Sequence, residues 1–255
     1  MKYDGEKNYK HGASEKIGIL ITNLGTPDRP TKDGLRTYLK EFLSDPRVIE
    51  VPKIIWQTIL RLIILNLRPQ KVAKLYKSIW KKKGGPLLIM LQKQRKSLKK
   101  NLQKKLKDLK IEIGMRYGNP SIKSGLEKLR SQGCRKILIL PLYPQYCAAT
   151  TGSTFDKVTE ILRKWRWIPE LRFINNYFEE PMYIDCLIKS IKKSWKKKGK
   201  SQKLIFSYHG VPKKYLLKGD PYHCFCQKTT RLVAEKMKLK EKDYITTFQS
   251  RFGPD

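Results

Sequence analysis

Short apolar runs alternate along the chain with longer stretches in which apolar residues return every third or fourth position. The run IGILITN at 17–23 reads as a buried strand, and Gly25-Thr26-Pro27 turns the chain after it. The next stretch, 31–44, places Leu35, Tyr38, Leu39 and Phe42 on one helical face, and Asp45-Pro46 ends it. A strongly apolar helix is predicted over 53–67, and Pro69 is read as opening another that carries Val72, Leu75, Tyr76 and Ile79. Gly84-Gly85-Pro86 breaks the pattern before a Lys-studded helix at 89–109. Strands at 111–115, 136–142, 171–174, 203–208 and 244–248 then alternate with helices at 122–132, 154–165, 182–195 and 225–237.

Strands separated by helices of this length form βαβ crossovers, which are right-handed and build parallel sheets covered on both faces. The expected fold class is α/β, and the 255 residues suffice for two such units, dividing within 150–175. The first sixteen residues are polar and read as a loose tail. No closing helix follows the last strand, so the second sheet is expected to be incomplete. In open parallel sheets the ligand lies beyond the carboxyl ends of the strands. Those exits carry Asn23-Leu24-Gly25, Arg116-Tyr117-Gly118-Asn119-Pro120, Tyr143-Pro144, Thr151-Gly152-Ser153 and His209-Gly210-Val211-Pro212. Tyr and Leu faces with an Arg suit a flat aromatic ligand bearing acidic groups.

Of the three histidines, His11 falls in the tail and His223 in a polar loop beside Cys224 and Cys226. The HCFC spacing is not that of a structural zinc site, and no second ligand pair stands elsewhere. His209 follows an apolar strand and is flanked by glycine and proline, a setting that aims a side chain into a cleft. The dinucleotide fingerprint, the GxxxxGK[ST] loop and the GxSxG elbow are absent, which removes the main support for nucleotide-binding and hydrolase readings.

Charge alters this picture less than its size suggests. The 56 Lys and Arg against 22 Asp and Glu give +34, which by itself points to nucleic acid or an anionic membrane. The basic residues are 42 Lys to 14 Arg, however, in a chain with only five Ala. Specific phosphate recognition favours the Arg fork, so this bias reads as solvated surface, with a polyanion-binding protein as the alternative from another class. Five irregularly spaced cysteines and no secretory signal read as a reduced, cytoplasmic chain. The 53–67 segment is too short to span a bilayer and contains Arg61; it is either a buried helix or one that dips into a membrane interface.

Taken in order, the motifs resemble the ferrochelatase family in its bacterial, protoporphyrin-using form. They are NLGTP at 23–27, YLKEFLSDPRV at 38–48, RYGNP at 116–120, LPLYPQY at 140–146, TTGS at 150–153, SYHGVP at 207–212, GDPY at 219–222 and TFQSRFGP at 247–254. The resemblance implies two Rossmann-like, chelatase-type domains, at 17–160 and, truncated, 161–255, behind a disordered tail at 1–16. It implies insertion of Fe2+ into protoporphyrin IX to give protohaem, the last step of haem biosynthesis, with the porphyrin held between the domains and no cofactor consumed. His209 matches the family's active-site histidine, as catalytic residue and metal ligand. Arg116 and Tyr117 match a pair lining the porphyrin cleft, Arg68 an Arg associated with a propionate, and Leu24 and Tyr143 positions near the macrocycle. The 53–67 helix matches a lip linked in some members to peripheral membrane contact. The sequence departs from the pattern in three ways. A second catalytic residue, a Glu, and a Trp after Gly253-Pro254 are not among these residues; Gly85 stands where a Ser is common; and Ala148 stands at the cysteine position of cluster-containing members, so no iron–sulfur cluster is expected. Coproporphyrin metallation and non-catalytic porphyrin binding are the alternatives. Nucleic acid is not an expected partner.

Overall fold

The structure, a computed structural model, describes residues 3–6 and 9–250 and divides into two compact units. The last residues of the TFQSRFGP motif lie outside the described residues. The first unit comprises Met1–Leu142 and Ala148–Ile174, and the second Tyr143–Cys147 and Asn175–Asp255.

In the first unit, β1 (Lys16–Thr26), β2 (Lys110–Gly118), β3 (Cys134–Pro141) and β4 (Glu170–Phe173) form a parallel sheet in the order β2-β1-β3-β4. The register sets Ile19 beside Ile111 and Leu138, and Ile21 beside Ile113 and Leu140. Alternation along β1 then serves both faces. Leu20 joins Ile137 and Ile139 against α5 (Ile122–Ser131) and α6 (Ser153–Leu162). Ile19 and Ile21 face the other way, with Ile111, Ile113 and Leu91 of α4 (Pro86–Leu102). This two-sided burial is why the strand sequences are nearly continuous apolar runs. Because β4 pairs with β3, the 170–173 strand belongs to the first unit, which runs to Ile174.

Local signals set the helix starts. The Thr31 hydroxyl accepts the Gly34 N–H at 3.2 Å at the head of α1 (Lys32–Leu43), and Ser121 caps α5 in the same way at 3.1 Å. Pro69 does not open a helix. The chain continues from α2 (Lys53–Ile59) through a π-helical turn (Leu60–Ile64) into α3 (Leu65–Ile79), with Pro69 inside it. The wide turn immediately precedes the stretch where proline's missing N–H and its ring disturb the helical ladder. Nor do the described residues of the tail run loose. Asp4 bridges to Trp165, the Glu6 carboxylate accepts two bonds from Arg135 at 2.6 and 2.9 Å, and Tyr9 packs edge-on against Trp167. The Arg135 guanidinium lies over the rings of Trp167 and Tyr9, and Arg166 over that of Tyr3.

The second unit holds α7 (Pro181–Lys198), β5 (Leu204–His209), α8 (Lys213–Leu217), α9 (Tyr222–Lys236) and β6 (Tyr244–Gln249). β5 and β6 pair in parallel, Leu204 beside Tyr244 and His209 beside Gln249. Ile184 and Ile188 of α7 pack with Val233 of α9 and Phe206 of β5. Ile205 and Ile245, paired on the opposite face, are exposed.

Candidate functional site

Each expected site residue except Arg68 lies at or just past the carboxyl end of a parallel strand, where the fold class places chemistry. The set divides between the units: Leu24, Arg68, Arg116 and Tyr117 in the first, Tyr143 and His209 in the second.

In the first unit the exits of β1 and β2 touch backbone to backbone. Gly25 has φ +120, and a Cβ there would lie 1.8 Å from the Tyr117 carbonyl oxygen, so no other residue fits NLGTP at this position. Leu24 is partly buried and packs in a cluster with Tyr117, Tyr38, Leu60 and Leu65. Arg68 is exposed on α3, with no side-chain partner among the described residues.

Arg116 and Tyr117 are gathered by Asp45, from the turn after α1, which the sequence reading passed over as a helix stop. Asp45 Oδ2 accepts from Arg116 Nη2 at 2.5 Å, from the Tyr117 hydroxyl at 2.8 Å and from Ser153 Oγ at 2.6 Å. Its Oδ1 accepts the Arg47 N–H at 2.8 Å. Arg116 Nε donates to the Ser153 carbonyl and hydroxyl oxygens at 3.0 and 2.7 Å. Burial pushes the Asp45 carboxyl up, but the bonds from Ser153 and Tyr117, the Arg116 charge and the Arg47 N–H outweigh it and hold it below the usual carboxylate range. Burial raises the Tyr117 hydroxyl, which stays protonated and donates. Tyr117 was expected to face a ligand; its side chain is instead wholly buried, its ring edge-on to Phe42 and its hydroxyl spent on Asp45. The signal for this cluster was present as DPR, RY and TGS in three separate motifs, but a sequence does not say which motifs meet.

In the second unit His209 is the last residue of β5 and is exposed. Its ring lies with Nδ1 2.7 Å from the Gly210 carbonyl oxygen. A carbonyl only accepts, so Nδ1 carries the proton in the neutral ring and Nε2 presents a lone pair. Below it Tyr208 bonds Thr230 at 3.1 Å, and burial raises its hydroxyl to about 12. Burial likewise raises Cys226 to about 12, leaving it a thiol hydrogen-bonded to the Tyr222 side chain. Tyr143 opens the Tyr143–Cys147 segment, which the second unit holds through the Tyr177 N–H on the Pro144 carbonyl at 2.9 Å and Gln145 on Thr229 at 3.0 Å. His223 is a ring partner of Phe248 at 5.0 Å. Among the described residues no group of three or more His, Cys, Asp and Glu is disposed to hold a metal ion.

The chain as a whole has close relatives. A family model described as ferrochelatase matches residues 16–255. A ferrochelatase of Thioalkalivibrio sulfidiphilus is 53% identical over 99% of this chain and 69% of its own. Ferrochelatases of Pseudoalteromonas atlantica and Idiomarina loihiensis are 52% and 50% identical, again over 99% of this chain, which spans 71% and 70% of theirs. Among solved structures, a sirohydrochlorin chelatase from Bacillus subtilis aligns with a TM-score of 0.46 at 12% identity, covering 91% of this chain and 66% of its own, too distant a likeness to carry argument. With a family match across nearly its full length and relatives at half identity, the chain belongs to the ferrochelatase family.

Proposed function

We propose that the chain inserts Fe2+ into protoporphyrin IX, with His209 as the residue that acts on the reacting nitrogens. The supporting observation is the exposed imidazole at the end of β5 with Nδ1 committed to the Gly210 carbonyl and Nε2 without a partner among the described residues. In the reaction two pyrrole N–H bonds break, four nitrogens close on the metal and two protons leave. A planar macrocycle shields its nitrogens, so binding energy from its periphery is used to saddle it. A neutral imidazole with an open Nε2 either takes a pyrrole proton or holds the incoming iron. Arg116 supplies a guanidinium for the acidic substituents.

The test is anaerobic incubation of the purified chain with Fe2+ and porphyrin, following the absorbance of the metalloporphyrin. Protohaem formation, faster than iron coproporphyrin formation, supports the reading. Faster coproporphyrin turnover replaces the substrate, and porphyrin fluorescence quenching without any metalloporphyrin replaces the enzyme by a binding protein.

A peripheral contact with anionic membrane also has a specific observation behind it. α2 has no buried residue, and Ile54, Leu62 and Leu67 are 85, 68 and 72% exposed. Lys53, Arg61 and Arg68 accompany this strip, as on interfacial helices. No helix among the described residues is long and apolar enough to cross a membrane. Vesicles of phosphatidylglycerol should sediment the chain, phosphatidylcholine vesicles much less, and Ile54→Asp with Leu62→Asp should abolish the difference. Equal sedimentation of wild type and variant removes the proposal.

A further inference from the structure

Asp45 has no role in the reaction as described, yet it is the point where three separate motifs converge. Its carboxylate is nearly inaccessible, 6% exposed for the whole residue. A buried carboxylate is costly unless it is paired and fully bonded. Here it is both, with one cation, two hydroxyls and a backbone N–H. The consequence falls on Arg116. A guanidinium is a rigid planar fork, so fixing Nε on Ser153 and Nη2 on Asp45 fixes the direction of Nη1. The Arg116 side chain keeps 13% exposure, so the fork is held without being sealed. Fixing a flexible Arg before a ligand arrives removes the ordering cost from the binding step.

We propose that Asp45 is a positioning residue: with Ser153 it sets the orientation in which Arg116 meets a carboxylate of the porphyrin. The proposal rests on Arg116 handling the porphyrin as argued above. It predicts that loss of the Asp45 charge weakens porphyrin binding through Arg116 and through nothing else.

The experiment is a double-mutant cycle on Asp45→Asn and Arg116→Gln, read as the dissociation constant of protoporphyrin IX by fluorescence quenching. The dimethyl ester of the same porphyrin, which lacks the carboxylates, is titrated alongside, and turnover is recorded where it occurs. Each single variant is expected to weaken protoporphyrin binding by about tenfold, the size of one charge-assisted contact. The double variant should be no weaker than either single one, and the ester should bind all four proteins alike. Effects that multiply in the double variant, or an equal loss with the ester, would make Asp45 a structural residue only and overturn the proposal. If Asp45→Asn does not fold, Ser153→Ala carries the same cycle, with a smaller loss expected in the same direction; an unchanged dissociation constant overturns it. Failure of metal insertion by the wild type sinks the enzymatic reading, and the binding cycle still decides the role of Asp45.

Discussion

The two units treat their candidate residues in opposite ways. In the first, Arg116 and Tyr117 come off a strand whose sheet is covered on both faces, and every polar end they use is answered by Asp45 or Ser153. In the second, His209 comes off a parallel strand pair with one face exposed, and among the described residues its ring is held by the Gly210 carbonyl. The first arrangement gives up chemical freedom for fixed geometry, as suits groups that orient a ligand. The second leaves a lone pair accessible at the cost of rigidity, as suits a group that exchanges protons or metal. The prediction is that His209 can be changed without loss of stability, whereas the packed exits of the first unit cannot.

The largest effect should come from His209→Ala. Loss of an acid–base or metal-holding imidazole costs on the order of 100-fold or more in metal insertion. An exposed side chain contributes little to stability, so far-ultraviolet circular dichroism and the melting temperature should stay as in the wild type. Retained turnover would refute the role, and loss of the fold would make His209 structural and end the contrast.

Gly25→Ala should do the reverse. A Cβ would fall against the Tyr117 carbonyl at a φ of +120, and the expected cost is at least ~3 kcal/mol of unfolding free energy. A thermal or urea melt within error of wild type would show that the β1 and β2 exits can part, and that the first unit is less rigid than argued.

The smallest effect is in acid. The Asp45 carboxyl titrates below its usual range when folded, so its contribution is complete above the unfolded value of about 4. That contribution is lost as pH falls through the folded value. Urea melts of wild type should therefore weaken below about pH 4 more steeply than those of Asp45→Asn. Parallel pH profiles would mean that the carboxylate is not stabilised by its neighbours.

How much of this was legible beforehand differs by level. The strand at 17–23 and the helix at 122–132 were readable because an apolar run and a 3.6-residue period are local properties, and they stand as β1 and α5. Pro69 misled because its effect depends on whether the helix before it can widen, which it does at Leu60–Ile64. The tail misled because polar composition does not reveal that Arg135 and Trp167 wait for Glu6 and Tyr9. α8 was not anticipated: five residues are too few to show a period.

The sequence by itself determined the α/β class and, through its ordered motifs, membership of the ferrochelatase family, and it singled out the strand exits and His209 as candidates. Only the tertiary structure decided that Tyr117 is buried, that Asp45 is the hub that holds Arg116, and that the apolar 53–67 segment turns Ile54, Ile55, Leu62, Ile63 and Leu67 outward. The reason is range. Periodicity and turn chemistry act over a few residues, whereas Asp45 meets Arg116 across 71 positions and Ser153 across 108. Which distant polar groups share one buried carboxylate is set by how the elements pack.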